Sequence, residues 1–207
     1  MAHQFSTLTF TDNVQAVQRE MGSRHANEQL TERGPSNDSF TEDEKSFIAA
    51  RDSFYISTVG ETGWPYIQFR GGPTGFLRVL DDRTLAYADI TGNRQYITTG
   101  NLRSNHRAAL FLMDYPHQTR LKILGEVEVT PWNEAGDWKS QLPIPDRGRP
   151  ERAIRIHLAA FDWNCPQHIP QRWTLEELKR TDLFKRIASL EEEVKTLRAK
   201  LGTTNRN

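Results

Sequence analysis

The sequence predicts a mainly β fold, a small antiparallel β-barrel with helices packed outside it. Three observations carry that prediction. From Ser53 onward the apolar residues fall in short runs rich in aromatic and β-branched side chains, the composition of strands. Gly, Asp and Pro punctuate these runs at the spacing of hairpins and meanders. Helical periodicity is confined to a few short stretches and to the C-terminal end, so strands outnumber helices in the central part of the chain.

The elements follow in order. Residues 1–40 are polar and weakly periodic; Val14, Val17 and Met21 recur at helical spacing and predict a short helix near 12–21. The stretch RGPSNDS at 33–39 reads as a loop. Thr41 and Glu44 form a capping-box pattern with Asp43 beside them, so a helix starts there and turns Phe47 and Ile48 inward. Strands are expected at 54–59, 64–70, 75–80, 84–88, 108–113, 119–130 and 153–163. Gly60, the Gly71-Gly72-Pro73 run, the Asp81-Asp82-Arg83 turn and Pro131 separate them. Helices are expected at 93–104 and 132–142, and three prolines make 143–150 a loop. The domain reading is an N-terminal polar and helical extension (1–40), a barrel domain (41–172) and a C-terminal helix (173–207).

The last helix has its own pattern. Leu183, Ile187, Leu190, Val194, Leu197 and Leu201 alternate steps of four and three. This is a heptad with Ile187, Val194 and Leu201 at a and Leu183, Leu190 and Leu197 at d, the distribution that favours a parallel two-stranded coiled coil. The flanks agree, because Arg186 would meet Glu191, and Glu193 would meet Arg198, of a second copy. Self-association over 183–201 is therefore expected; a helix lying on its own barrel is the other reading of the stripe.

Composition bounds the function. The chain has 207 residues and a formal charge of zero, from 27 basic and 27 acidic side chains, which argues against nucleic-acid binding driven by bulk charge. Residues 1–100 carry a balance of −4 and residues 101–207 a balance of +4. Arginine supplies 20 of the 27 cations; its planar fork suits phosphate and carboxylate, though genomic bias also enriches it. There is no run of 18 apolar residues and no basic-then-apolar start, so a cytoplasmic location is expected. The single cysteine, Cys165, excludes an internal disulfide framework and a cysteine-pair zinc site, and the six scattered histidines give no metal pattern.

No GxSxG, HExxH or P-loop is present. Cys165 with His168 or His157 is a weak nucleophile–base candidate, since closeness in sequence says little about such pairs. Thr91-Gly92-Asn93-Arg94-Gln95-Tyr96 is more informative. It follows the strand ending near Asp89 and precedes a helix, whose first N–H groups lack partners and favour an anion. Arg94 adds a bidentate donor there, and Asn93 and Gln95 add neutral ones. A phosphate cradle and an ordinary capped helix start both fit these residues. Gln68 and Arg70 project from one face of their strand, and Arg120 and Lys122 from one face of theirs, as a ligand rim or as a solvated surface would have them.

The runs SFYISTVGETGWPYIQFRGG, TLAYADITGNRQYITTGNLRSNHRAALFLMDYP and RLKILGEVEV resemble the pyridoxamine 5'-phosphate oxidase-like family over about residues 41–170. The resemblance implies a six-stranded Greek-key FMN-binding split barrel. It implies a homodimer with two FMN sites, each built from both chains. It implies that Gln68 and Arg70 contact the flavin and its phosphate, that Asp89 lines the ring, and that Asn93, Arg94 and Gln95 grip the phosphate. Arg120 and Lys122 would reach the flavin's polar edge or tail, and Trp163 would approach it from the partner chain. Gln95 stands where the family has a lysine, Gly71-Gly72 replaces a basic strand end, and the oxidase's C-terminal Arg-His motif is not visible. An FMN-dependent oxidoreductase acting on a small molecule is the implied function, with oxidation of pyridoxamine 5'-phosphate itself not implied. A non-catalytic FMN-binding or sensor protein, and a haem- or deazaflavin-using relative on the same barrel, are the alternatives.

Overall fold

The computed structural model describes residues 2–146, 148–163, 167–179 and 181–204. The chain divides into two compact units, Met1–Asp114 with Thr119–Gln167, and Tyr115–Gln118 with His168–Asn207. Among the described residues no helix is long and apolar enough to cross a membrane.

The first unit is built on seven antiparallel strands: β1 (Ser53–Val59), β2 (Pro65–Gly71), β3 (Arg78–Asp81), β4 (Thr84–Ile90), β5 (Arg107–Asp114), β6 (Thr119–Pro131) and β7 (Pro150–Trp163). They run in the order β2-β1-β5-β6-β7-β4-β3. Two hairpins, β1–β2 and β3–β4, thus occupy opposite ends of the sheet, while β5, β6 and β7 form the meander between them. The split-barrel class expected from the sequence holds; its strand count is seven where the resemblance implied six. Among the described residues of this unit five helices accompany the strands: α1 (Gln4–Thr9), α2 (Asp12–Glu20), α3 (Arg24–Arg33), α4 (Glu42–Ala49) and α5 (Ile97–Ser104).

Alternation creates the core. Phe54, Ile56 and Thr58 on β1, Leu110 and Leu112 on β5, and Leu121, Ile123 and Val127 on β6 turn to one face and are buried. Each large apolar side chain so buried contributes about 2 kcal/mol of transfer free energy. Strand β4 is buried on both faces. Leu85 and Tyr87 join the main core, whereas Ala86 and Ala88 pack with Ala153, Ala135 and Leu142 under Trp132 and Trp138. Small residues on that face let the 132–142 segment approach closely. That segment is a loop with one 3-10 turn at Asp137–Gln141, not the helix expected, because its apolar residues serve this cover rather than a helical stripe.

Helix α4 opens on the expected capping box. The Glu44 carboxylate accepts from Thr41 N at 2.9 Å and Thr41 Oγ1 at 2.6 Å, and also from Trp163 Nε1 at 2.6 Å. Trp163 meets Phe47 edge-on, with ring centroids 4.8 Å apart. The 1–40 segment holds three helices where the sequence showed one. α1 packs beside β7, pinned by the buried His3, whose ring bonds Ser6 Oγ at 2.8 Å and Asn37 Nδ2 at 3.0 Å. In the second unit, α6 (Leu175–Lys179) leads to α7 (Leu183–Thr204), the helix carrying the heptads.

Candidate functional site

The loop between β4 and α5 departs from the expected helix start. Arg94 and Tyr96 both hold positive φ, 62° and 55°, so 91–96 cannot be helical and α5 begins only at Ile97. Left-handed backbone at two non-glycine residues costs on the order of 1 kcal/mol or more each and persists only where surroundings impose it. Asn93 Oδ1 accepts from Gln95 N at 3.1 Å and Asn93 Nδ2 donates to Gln95 Oε1 at 3.2 Å, which fixes the turn. Tyr96, the residue before α5, makes no side-chain cap, so the first N–H groups of α5 are left for another acceptor.

Charge gathers beneath this loop. Asp89, at the end of β4, accepts from Arg152 Nε at 2.8 Å and lies 3.8 Å from Arg70 Nη2. Arg152 Nη2 reaches Glu151 at 2.7 Å, and its guanidinium lies 4.8 Å from the Tyr96 ring centroid. The Tyr96 hydroxyl donates to Glu151 at 3.2 Å. Tyr66 bonds Gln68 through its hydroxyl, so this β2 pair is held together. The Tyr87 phenol is fully buried next to these charges; burial pushes its pKa up, and the Arg70 cation counters part of that.

These residues enclose a cleft of about 60 Å³ lined by Tyr66, Arg70, Asp89, Arg94, Tyr96 and Arg152, among others. Its volume is that of a compact group such as a phosphate. Three arginines face two carboxylates, so the local balance is positive. The Arg70 Nε is buried without a hydrogen-bond partner, an unmet donor beside the cleft. The donors fit an anion: arginine forks, a helix start and a turn held open by left-handed residues. A larger groove of about 810 Å³ adjoins it, sharing Thr99 and Arg152 and lined also by His106, Glu126 and His157. Among the described residues no group of three His, Cys, Asp or Glu side chains is placed to hold a metal ion.

The structure brings together Arg70, Asp89, Asn93, Arg94 and Gln95 around the cleft, and Gln68 is joined to them through Tyr66. It does not bring Arg120, Lys122 or Trp163 to them. Register decides this. Gln68 and Arg70 stand opposite Ile56 and Phe54, on the inner face of the sheet. Lys122 and Arg120 stand opposite Phe111 and Met113, on the outer face. Lys122 pairs with Asp162 at 2.7 Å and sits 4.8 Å from the Phe5 ring centroid. Arg120 lies 5.8 Å from the Phe111 ring centroid. The Trp163 indole is turned into its own chain, on Phe47 and Glu44. Sequence reasoning missed Arg152, Glu151 and Tyr66. Arg152 reaches the site only because β7 pairs with β4, a contact spanning 63 positions of chain.

The outer face near Lys122 is apolar. Ile67 and Phe69 of β2 are 65% and 54% exposed, beside Tyr55 and Phe111. A hollow of about 540 Å³ opens there, lined by Phe5, Tyr55, Ile67, Phe111 and Lys122.

The family model for pyridoxamine 5'-phosphate oxidase matches residues 40–162. No curated protein matches the chain. Among solved structures, HupZ from Group A Streptococcus is 19% identical, with 65% of this chain and 99% of that one covered at a TM-score of 0.48. An FMN-binding protein from Syntrophomonas wolfei is 14% identical, with 73% and 97% covered at a TM-score of 0.45. A protein from Clostridium acetobutylicum related to general stress protein 26 is 14% identical, with 66% and 94% covered at a TM-score of 0.41.

Proposed function

Since this chain belongs to the pyridoxamine 5'-phosphate oxidase family, we propose that it binds FMN and acts as an oxidoreductase on a small molecule. The observation that carries the reading is the cleft under the 91–96 loop. Its size suits a phosphate, its arginines supply charge, and the unpartnered Arg70 Nε and uncapped α5 supply donors. Arg94 and Gln95 hold the phosphate from the loop, Arg70 holds it from β2, and Asp89 fixes both Arg70 and Arg152. Strand β2 is an edge strand, paired on one side by β1. Its outward backbone groups suit the polar edge of a flat heterocycle.

The flavin, when bound, supplies the hydride or electron transfer, so no side-chain nucleophile is required. The protein's part is to bind, to orient and to keep donors aimed at the ring's polar edge. Arg120 and Lys122 lie on the other face of the sheet, beside the exposed apolar surface of Tyr55, Ile67 and Phe69. A second copy docked on that surface covers it and presents its Arg120 and Lys122 to the first copy's flavin. The homodimer with two shared sites is therefore part of the proposal. Trp163 is not, because its indole N–H is committed to Glu44.

The test is an absorbance spectrum of protein purified without added cofactor, followed by mass spectrometry of the heat-released ligand. Oxidised-flavin bands with an FMN mass are expected, with turnover by a nicotinamide donor and an acceptor. A deazaflavin mass or a haem band would replace the cofactor. FMN binding without turnover in any donor and acceptor pair would leave a binding or sensor protein. A colourless protein that takes up no added FMN would remove the site assignment.

A further inference from the structure

The C-terminal helix α7 carries a stripe that the flavin reading does not use. Leu183, Ile187, Leu190, Val194 and Leu197 lie along one side of it and are between 42% and 51% exposed. A groove lined by Ile187, Leu190 and Val194, with Glu191 and Arg198 on its rim, runs beside the stripe. Two ion pairs lie outside the a and d positions, Lys185 with Asp182, the residue before the helix, at 3.0 Å and Lys195 with Glu192 at 3.7 Å, and Lys195 also lines the groove. The apolar seam is thus left open along the helix, and charged residues that these pairs do not use border it.

We infer that α7 pairs with α7 of a second copy of this chain, as a parallel, in-register two-stranded coiled coil over 183–201. The occupant follows from charge. In a parallel pair each g residue faces the e residue five positions on in the partner. Arg186 then meets Glu191, and Glu193 meets Arg198, and by symmetry each pairing occurs twice. The antiparallel pair that keeps every apolar layer sets Ile187 opposite Leu197. It also puts Glu191 against Glu191 and Glu193 against Glu193, which is repulsive. Sliding the antiparallel pair by one heptad relieves the repulsion but gives up layers at Leu183 and Ile187. Only the parallel register keeps all the layers and all the opposite charges. Ile187 and Val194 at a, with Leu at d, select two strands over three or four. The stripe is also narrow, as a coiled-coil seam is and as a helix lying on a globular core is not.

Cross-linking tests this on the full chain, with a readout independent of any flavin. In a Cys165→Ser background, Leu183→Cys brings two thiols together only if the helices are parallel and in register. A disulfide needs Cα atoms within about 7 Å. Mixing an Ile187→Cys chain with a size-tagged Leu197→Cys chain reports the antiparallel pair. In the parallel pair those positions are ten residues apart, about 15 Å along the axis. Mild oxidation is expected to give the Leu183→Cys dimer and no tagged 187–197 product. Adding Arg186→Glu is expected to lower the Leu183→Cys yield at limiting concentration by roughly tenfold, and Glu191→Arg on top of it to restore the yield. Absence of the Leu183→Cys dimer, appearance of the 187–197 product, or a yield indifferent to charge reversal would each overturn the inference.

Discussion

Asp89 and Arg152 face each other across β4 and β7, with Arg152 Nε donating to Asp89 Oδ2 at 2.8 Å. This cross-strand pair anchors the floor of the cleft, because the same carboxylate draws Arg70 toward it and the same guanidinium lies on Tyr96. The Asp89 side chain is 10% exposed and that of Arg152 is 19%. Removing one partner leaves the other charge poorly solvated. Asp89→Ala is expected to lower the unfolding free energy by about 2–3 kcal/mol, below the range for fully buried pairs because water still reaches Arg152. Arg152→Ala should cost less, and the double variant should cost less than the sum. Urea unfolding of the four proteins gives the coupling; strict additivity would show the pair to be incidental.

The loop residues should separate affinity from folding. Arg94 is exposed, so Arg94→Ala should leave the thermal midpoint within about 2 °C, as surface substitutions do. It should weaken FMN binding by roughly tenfold or more through loss of a charge-assisted fork. Gln95→Lys adds a cation at the same turn and should tighten binding by about threefold to tenfold at low salt, with the gain shrinking as ionic strength rises. Fluorescence titration at two salt concentrations measures both. An unchanged affinity in Arg94→Ala would move the phosphate elsewhere.

Much of the barrel was legible because its signals are local. Runs such as Phe54 to Val59 declare strands by composition, and the Thr41–Glu44 box declares a helix start by two residues three apart. Of the candidate site, the residues that line the cleft at the strand end and the following loop, Asp89 and Arg94, could be picked out from the sequence. The site was not legible where backbone or register decides. Nothing in the side chains of Arg94 and Tyr96 announces left-handed backbone, so the helix was expected to begin four residues before Ile97. Arg152 is an ordinary strand arginine until β7 is laid beside β4. Arg120 and Lys122 share a strand face, but only the pairing with β5 shows that this face is the outer one.

Gly125 sits where β6 slips register against β7. A Cβ built on it would lie 2.6 Å from Ile156 Cγ2 and 2.8 Å from the His157 carbonyl oxygen. The first is a branch methyl on a fully buried side chain and the second is backbone in a paired strand, so neither yields cheaply. Gly125→Ala is therefore expected to destabilise the barrel by about 2 kcal/mol, the usual penalty of overpacking, despite alanine's more restricted unfolded state. A fall of several degrees in the thermal midpoint checks it. A midpoint equal to the parent's would mean that the bulge absorbs a methyl group freely.

Glu44 ties α4 to the end of β7 and makes stability depend on pH. Burial alone would raise its pKa, but hydrogen bonds from the Thr41 side chain, the Trp163 indole and the Thr41 backbone outweigh it and hold the carboxyl below the usual glutamate value. A carboxylate whose pKa is lowered on folding stabilises the folded state above its unfolded pKa. That stabilisation is lost as pH falls through the lowered folded value, because the proton must then be taken up in both states. The difference in unfolding free energy between the parent and Glu44→Gln should therefore be constant from neutral pH down to about pH 5 and shrink below it. The amide keeps the shape but offers a neutral acceptor, so the neutral-pH cost is expected at about 1–2 kcal/mol. Trp163 fluorescence reports the same contact, since its indole N–H loses a charged acceptor in the variant. A parent–variant difference that stays constant down to pH 3 would show that Glu44 acts through packing rather than through its charge.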